Sequence, residues 1–131
     1  MTIIANLPEA EWTEKGGTLW MSCAGKSVRE VARAMIDAGA RFITITAHEL
    51  PEQKGFRLEY HWDLDGRVLG FTFETSGSSV ESIYDLCPAV DWIEREVFEG
   101  FAIEFTGRDY KPLQLRSGET PGVNLREEVA R

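Results

Sequence analysis

The sequence has no apolar run near the ~20 residues that a membrane-spanning helix needs. It has no basic stripe either: 14 Lys and Arg stand against 22 Asp and Glu, a formal net charge of −8. Proteins that grip a phosphate backbone cluster their cations, so no nucleic-acid partner is expected. Cysteine is scarce. Cys23 and Cys87 lie far apart and nothing matches C-x-x-C, which argues against an iron–sulfur or zinc site and fits a reducing compartment. The opening MTIIANLPEAEWTEKGG lacks the basic start and apolar stretch of a secretory signal, so a cytoplasmic location is expected. No internal repeat and no low-complexity block is visible.

What is there suits one folded domain. Hydrophobic residues make up 43% and aromatics 11% of 131 residues, enough for a packed core. TLWMSCA (18–24) alternates Leu19, Met21 and Cys23 against polar neighbours and predicts a first strand. In KSVREVARAMIDAG (26–39), Ser27 and Glu30 match a capping box. Val28, Val31, Ala32, Met35 and Ile36 form an apolar stripe, and Gly39 is placed to stop the helix. RFITITA (41–47) is β-branched and alternating. GFRLEYHW and RVLGFTFET flank Asp65-Gly66, the signature of a hairpin. SVESIYDL (79–86) predicts another strand, and Pro88 suits the start of a helix running to about Gly100. The expected fold is α+β: a largely antiparallel sheet, two main helices on one face, and an extended C-terminal tail. Residues 1–111 would be the domain and 112–131 the tail, expected to be mobile in the free chain.

The second helix carries the informative chemistry. In DWIEREVFEGFAIEFTGR (91–108), ~100° per residue places Val90, Ile93, Val97 and Phe101 on the core arc. Asp91, Arg95 and Glu99 fall opposite, spaced for ordinary i,i+4 pairing on a solvent face. Glu94 falls inside the apolar arc. An ionised carboxylate cannot be buried alone, so Glu94 must find a cation, take a proton or face a partner protein. Trp92 and Glu96 neighbour each other on the edge leading away from the core, a common place for a contact residue. Glu94 and Arg95, with Glu96, are expected to organise the junction between this helix and the segment ending at Arg108.

Together with its flanks, PAVDWIEREVFEGFAIEFTGRDYKPLQL resembles the signature region of the NADH-quinone oxidoreductase C-subunit family. These are hydrophilic subunits of respiratory complex I and of energy-converting membrane-bound hydrogenases. Trp92, Glu94, Arg95, Glu96, Glu99, Phe101, Ile103, Gly107 and Pro112 can be laid on the family pattern. Gly100 and Ala102 depart from it, and Arg108 stands where a His is usual. These departures and the chain length look more like the hydrogenase-type branch. The resemblance implies no redox cofactor in this chain, with iron–sulfur clusters, a nickel–iron centre or quinone in partner subunits. It implies docking beside a large subunit, nickel–iron-hydrogenase-like or complex I 49 kDa-like, and a small iron–sulfur subunit, peripheral on the inner face of the membrane. Trp92, Glu94, Arg95, Glu96, Glu99, Arg108 and Pro112 are then the candidate partner interface.

Other readings weigh less. His61, Asp63 and Asp65 resemble a fragment of a calcium loop, but the distal bidentate acid is missing and a hairpin turn explains the same letters. His48 shows no base or metal partner. Cys87 would be reactive if it capped a helix start. RSGETPG in the tail lacks the spacing of a phosphate loop. A small stand-alone enzyme or ligand-binding domain with an unrecognised site is the alternative to an accessory subunit.

Overall fold

A computed structural model describes residues 12–23, 26–75 and 77–108. The expected tail 112–131 with Pro112, and the first eleven residues, lie outside the described residues.

Five strands build the main sheet. A short hairpin, β1 (Thr13–Lys15) and β2 (Thr18–Ser22), turns at Gly16-Gly17. Helix α1 (Val28–Asp37) follows, then β3 (Arg41–Leu50), a 3-10 turn at Pro51–Gln53, β4 (Gly55–Leu64) and β5 (Arg67–Glu74). The strand order is β1-β2-β5-β4-β3, antiparallel throughout except for the parallel pair β2 and β5. The remainder is a corner piece: β6 (Ser79–Glu81), a 3-10 turn at Pro88–Val90, α2 (Asp91–Phe101) and β7 (Glu104–Thr106). There β6 and β7 pair in parallel as a separate two-stranded sheet. The α+β class and the mostly antiparallel sheet are as expected.

Period-2 patterning sets the core. Phe56, Leu58, Tyr60 and Trp62 are buried, while Arg57, Glu59 and His61 alternate onto the open face. Leu69, Phe71 and Phe73 answer them from β5 across the register Trp62↔Leu69, Tyr60↔Phe71 and Leu58↔Phe73. The turn between them has Asp65 at φ 51° and Gly66 at φ 86°, the paired left-handed geometry that a two-residue hairpin demands. The Asp63 carboxylate accepts from the Gly66 amide at 3.0 Å and pairs with Arg41 at 2.9 Å, so turn chemistry and β3 account for that acid.

Helix α1 forms as its sequence predicts. Ser27 accepts from the Glu30 amide at 2.9 Å, and Gly39 leaves the helix at φ 83°. Val28, Val31, Ala32, Ala34 and Met35 are buried. Ile36 is not. It is 38% exposed, because it lies ~120° from the centre of that buried arc. The second correction concerns 79–86, which is strand only to Glu81. Beyond it, both Leu86 and Cys87 donate their amides to the Ile83 carbonyl, and the chain coils into a turn. The third is Glu99, expected on the solvent face and found 6% exposed. Val97, Glu99 and Gly100 are all buried and Phe98 and Phe101 are half-buried, so cover on the last turn of α2 extends well beyond the apolar arc. A helical projection assumes the same cover along the whole helix, and α2 touches both β3 and β7.

Candidate functional site

The site is a knot of charge where α2 begins and β7 ends. Glu94 is fully buried. Its Oε1 accepts from the Ser82 hydroxyl at 2.7 Å and from Arg108 Nη1 at 3.1 Å, and its Oε2 accepts from the Ile83 amide at 3.0 Å. All three partners donate, the pattern an ionised carboxylate requires. Arg108 has a side chain only 7% exposed and also bonds Asp91 through Nη2. Asp91 in turn accepts from Arg95 Nη1 at 3.1 Å. The Arg108 guanidinium lies 4.5 Å from the centroid of the Tyr84 ring, a cation–π contact.

A second staple fixes the facing turn. Arg29 of α1 donates to the Ser82 carbonyl at 2.8 Å and grips Asp85 with two parallel bonds of 2.8 and 2.9 Å. Residues 82–85 are therefore held from both helices. Neither contact is local in sequence: 53 residues separate Arg29 from Ser82, and 12 separate Ser82 from Glu94.

Electrostatics divides the acids by burial. Burial pushes the Glu94 carboxyl above the usual carboxylate range, while Ser82, Ile83 and Arg108 pull it back. The Arg108 guanidinium holds Asp91 below that range. Cys87 precedes the 3-10 turn but caps nothing with its side chain, and burial pushes its thiol up. That reverses the activation expected of a capping cysteine. Cys23, beside a cavity also lined by Ser22, Lys26, Thr72 and Glu74, is pushed up to about 12 by burial. A thiol so held is a poor nucleophile. His48 has a partner after all, Glu59 at 3.3 Å. Among the described residues no three His, Cys, Asp or Glu side chains gather as metal ligands.

The candidate interface thus splits. Glu94 and Arg108 meet inside, Arg95 joins them through Asp91, and Glu99 is buried one turn on. Trp92 stays out, 58% exposed, its indole Nε1 donating to Glu96 at 3.2 Å. So Glu96 serves Trp92 and not the junction. Sequence reasoning found the odd acid but missed Asp91, Ser82 and Tyr84. Asp91 had a signal: it sits three residues before Glu94, so both face the same returning cation.

An α+β domain of this topology occurs in respiratory assemblies. The fold matches a chain from "the membrane-bound sulfane sulfur reductase (MBS), an archaeal respiratory membrane complex", with a TM-score of 0.65 and 20% identity over 80% of this chain and 68% of the other. It also matches Nqo5 in its trypsin-resistant fragment, with a TM-score of 0.63 and 20% identity over 77% and 89% of the two chains. At such identity these likenesses establish the fold. The family model for "Respiratory-chain NADH dehydrogenase, 30 Kd subunit" matches residues 21–130, and the chain belongs to that family. The C subunit of NADH-quinone oxidoreductase from Ruegeria sp. (strain TM1040) is 38% identical over 79 residues, 55% of this chain. Its counterpart from Ruegeria pomeroyi is 38% identical over 78 residues, 54% of this chain. In both cases the match spans 39% of the relative's length.

Proposed function

We propose that the chain is a hydrophilic, non-catalytic subunit of a membrane-associated energy-converting hydrogenase or complex-I-like oxidoreductase. It docks beside the large catalytic subunit and supports assembly and electron transfer without a redox centre of its own. One observation carries this reading: Glu94, the first acid of the Glu-Arg-Glu string, is turned inward, bonded to Arg108 and sealed from solvent. Carboxylates used so shape a surface; they do not offer an acid or base to a substrate. Among the described residues no helix is long and apolar enough to cross a membrane, which suits attachment through partner subunits on the inner face. Residues from 112 onward would add contacts once a partner supplies a surface.

The test is purification of the complex from native membranes through a tag on this chain. An iron–sulfur subunit and a large nickel–iron-hydrogenase-like subunit should accompany it at fixed stoichiometry, and the isolated chain should bind no iron, nickel or flavin. A chain that leaves the membranes alone, or that carries its own chromophore, refutes the accessory role and favours a stand-alone domain.

A further inference from the structure

The first turns of α2 leave an aromatic surface uncovered. Trp92 is 58% exposed and Tyr84 41%. Both rings are nonetheless held. The indole donates to Glu96, and the phenol ring stacks against Arg108, which bonds Asp91, the chain neighbour of Trp92. Both aromatics are thus tied to the first turn of α2, Trp92 by its place in the chain and Tyr84 through Arg108 and Asp91. Large side chains already fixed in place lose little freedom on contact, the property that makes an aromatic an anchor.

The charge around them has one sign. Residues 81–101 carry Glu81, Asp85, Asp91, Glu94, Glu96 and Glu99 against the single cation Arg95. Arg29 and Arg108 reach in from elsewhere, but all three guanidiniums are bonded to carboxylates of this same cluster. Glu81 and Glu96, both exposed, remain to face outward. A complementary surface must bring cations around a recess for the indole.

We propose that Trp92 and Tyr84, rimmed by Glu81 and Glu96, dock into a basic surface of another subunit, in which an apolar recess lined by lysine or arginine receives the Trp92 ring. This rests on the accessory-subunit reading and adds the face used and the chemistry it meets. Glu94 and Glu99 then serve the fold, and Trp92 serves the contact.

The experiment uses the assembled complex. A benzophenone crosslinker is placed at position 92, and as control at Arg33 on the solvent side of α1; crosslinked peptides are sequenced. Position 92 should join one peptide of another subunit that carries at least two Lys or Arg, and position 33 should not join it. In parallel, Trp92→Ala and Glu96→Arg should unfold at the wild-type temperature as free chains. Each should be retained in the complex at least about tenfold more weakly, as loss of an anchor implies. An intact complex in which position 92 joins no other subunit, or joins an acidic peptide, overturns the docking face while leaving the accessory role standing. Failure of the wild-type chain to form any complex overturns both.

Discussion

The two helices of this domain are held by opposite means. Helix α1 is capped by its own Ser27, buries only apolar side chains and keeps its charges on its outer face and rim. Helix α2 has no side-chain cap, is entered through a proline turn and buries two carboxylates. Apart from Arg29, which reaches across to Ser82 and Asp85, α1 depends on local pattern and an apolar stripe, so many sequences would serve. A helix like α2 depends on particular partners at long range, which fixes where β6, β7 and the exit of the chain must lie. The difference separates a scaffold from a positioning device.

Removing Glu94 should break that comparison most sharply. Glu94→Ala takes one of its carboxylate partners from Arg108, which keeps Asp91, and leaves the Ser82 hydroxyl and the Ile83 amide without their acceptor in a sealed place; urea unfolding should register a loss of about 3–5 kcal/mol. Glu94→Leu combined with Arg108→Met should recover the part that comes from the ion pair, since well-packed apolar residues can replace a buried pair, while Ser82 and Ile83 still lack their acceptor. If the double variant is as unstable as the single one, the pair is not the source of the effect. Glu99→Ala comes next. Its burial gives an expected loss of about 1–3 kcal/mol, against almost nothing for a solvent-facing acid. Thermal melts of that one variant decide whether the last turn of α2 is covered as described. On α1, Ser27→Ala removes one cap and should cost about 1 kcal/mol.

Titration gives a smaller but signed effect. Asp91 is held below its ordinary range in the folded state, so its contribution is complete above that range and is lost as pH falls through the lowered value. Glu94 is raised, and the sign reverses: stability drains as pH climbs from the ordinary Glu range, ~4.3, through the raised value. Asp91→Asn should therefore flatten the acid limb of a stability–pH curve and leave the opposite slope in place. A variant with an unchanged acid limb would show that Asp91 is too exposed to matter. Smallest of all is Glu96→Gln, whose exposed site on α2 should shift the melting midpoint by no more than about 0.5 kcal/mol equivalent.

Legibility followed the range of the interactions. Helix α1, the β4–β5 hairpin and the α+β class could be read because period, caps and turn pairs act over a few residues. Glu94 could be flagged because a helical projection is also local. The need for a cation and the junction with the segment ending at Arg108 were legible too, but Ser82 and the Ile83 amide were not, because a turn whose closure no periodicity encodes brings them to Glu94. The strand expected over 79–86 forms only at Ser79–Glu81 for the same reason: just beyond it Glu94 takes the Ser82 hydroxyl and the Ile83 amide. Ile36 and Glu99 mark the limit of a single-face projection, one at the rim of a narrow buried arc and the other at a helix end whose cover extends beyond its apolar arc.

The parallel pairing of β2 with β5 has a consequence in time. Thr18 is aligned with Val68 and Ser22 with Thr72, so fifty residues must be in place before β2 can find its neighbour. The antiparallel run β3–β4–β5 can assemble from close contacts meanwhile, whereas β2 must wait and then close a long loop. During synthesis β2 emerges about fifty residues before the strand it pairs with. Leu19 and Met21, the side chains β2 turns to the core, have no β5 beside them until the Asp65-Gly66 turn has laid that strand against β4, so a turn far along the chain governs when this edge of the sheet can close.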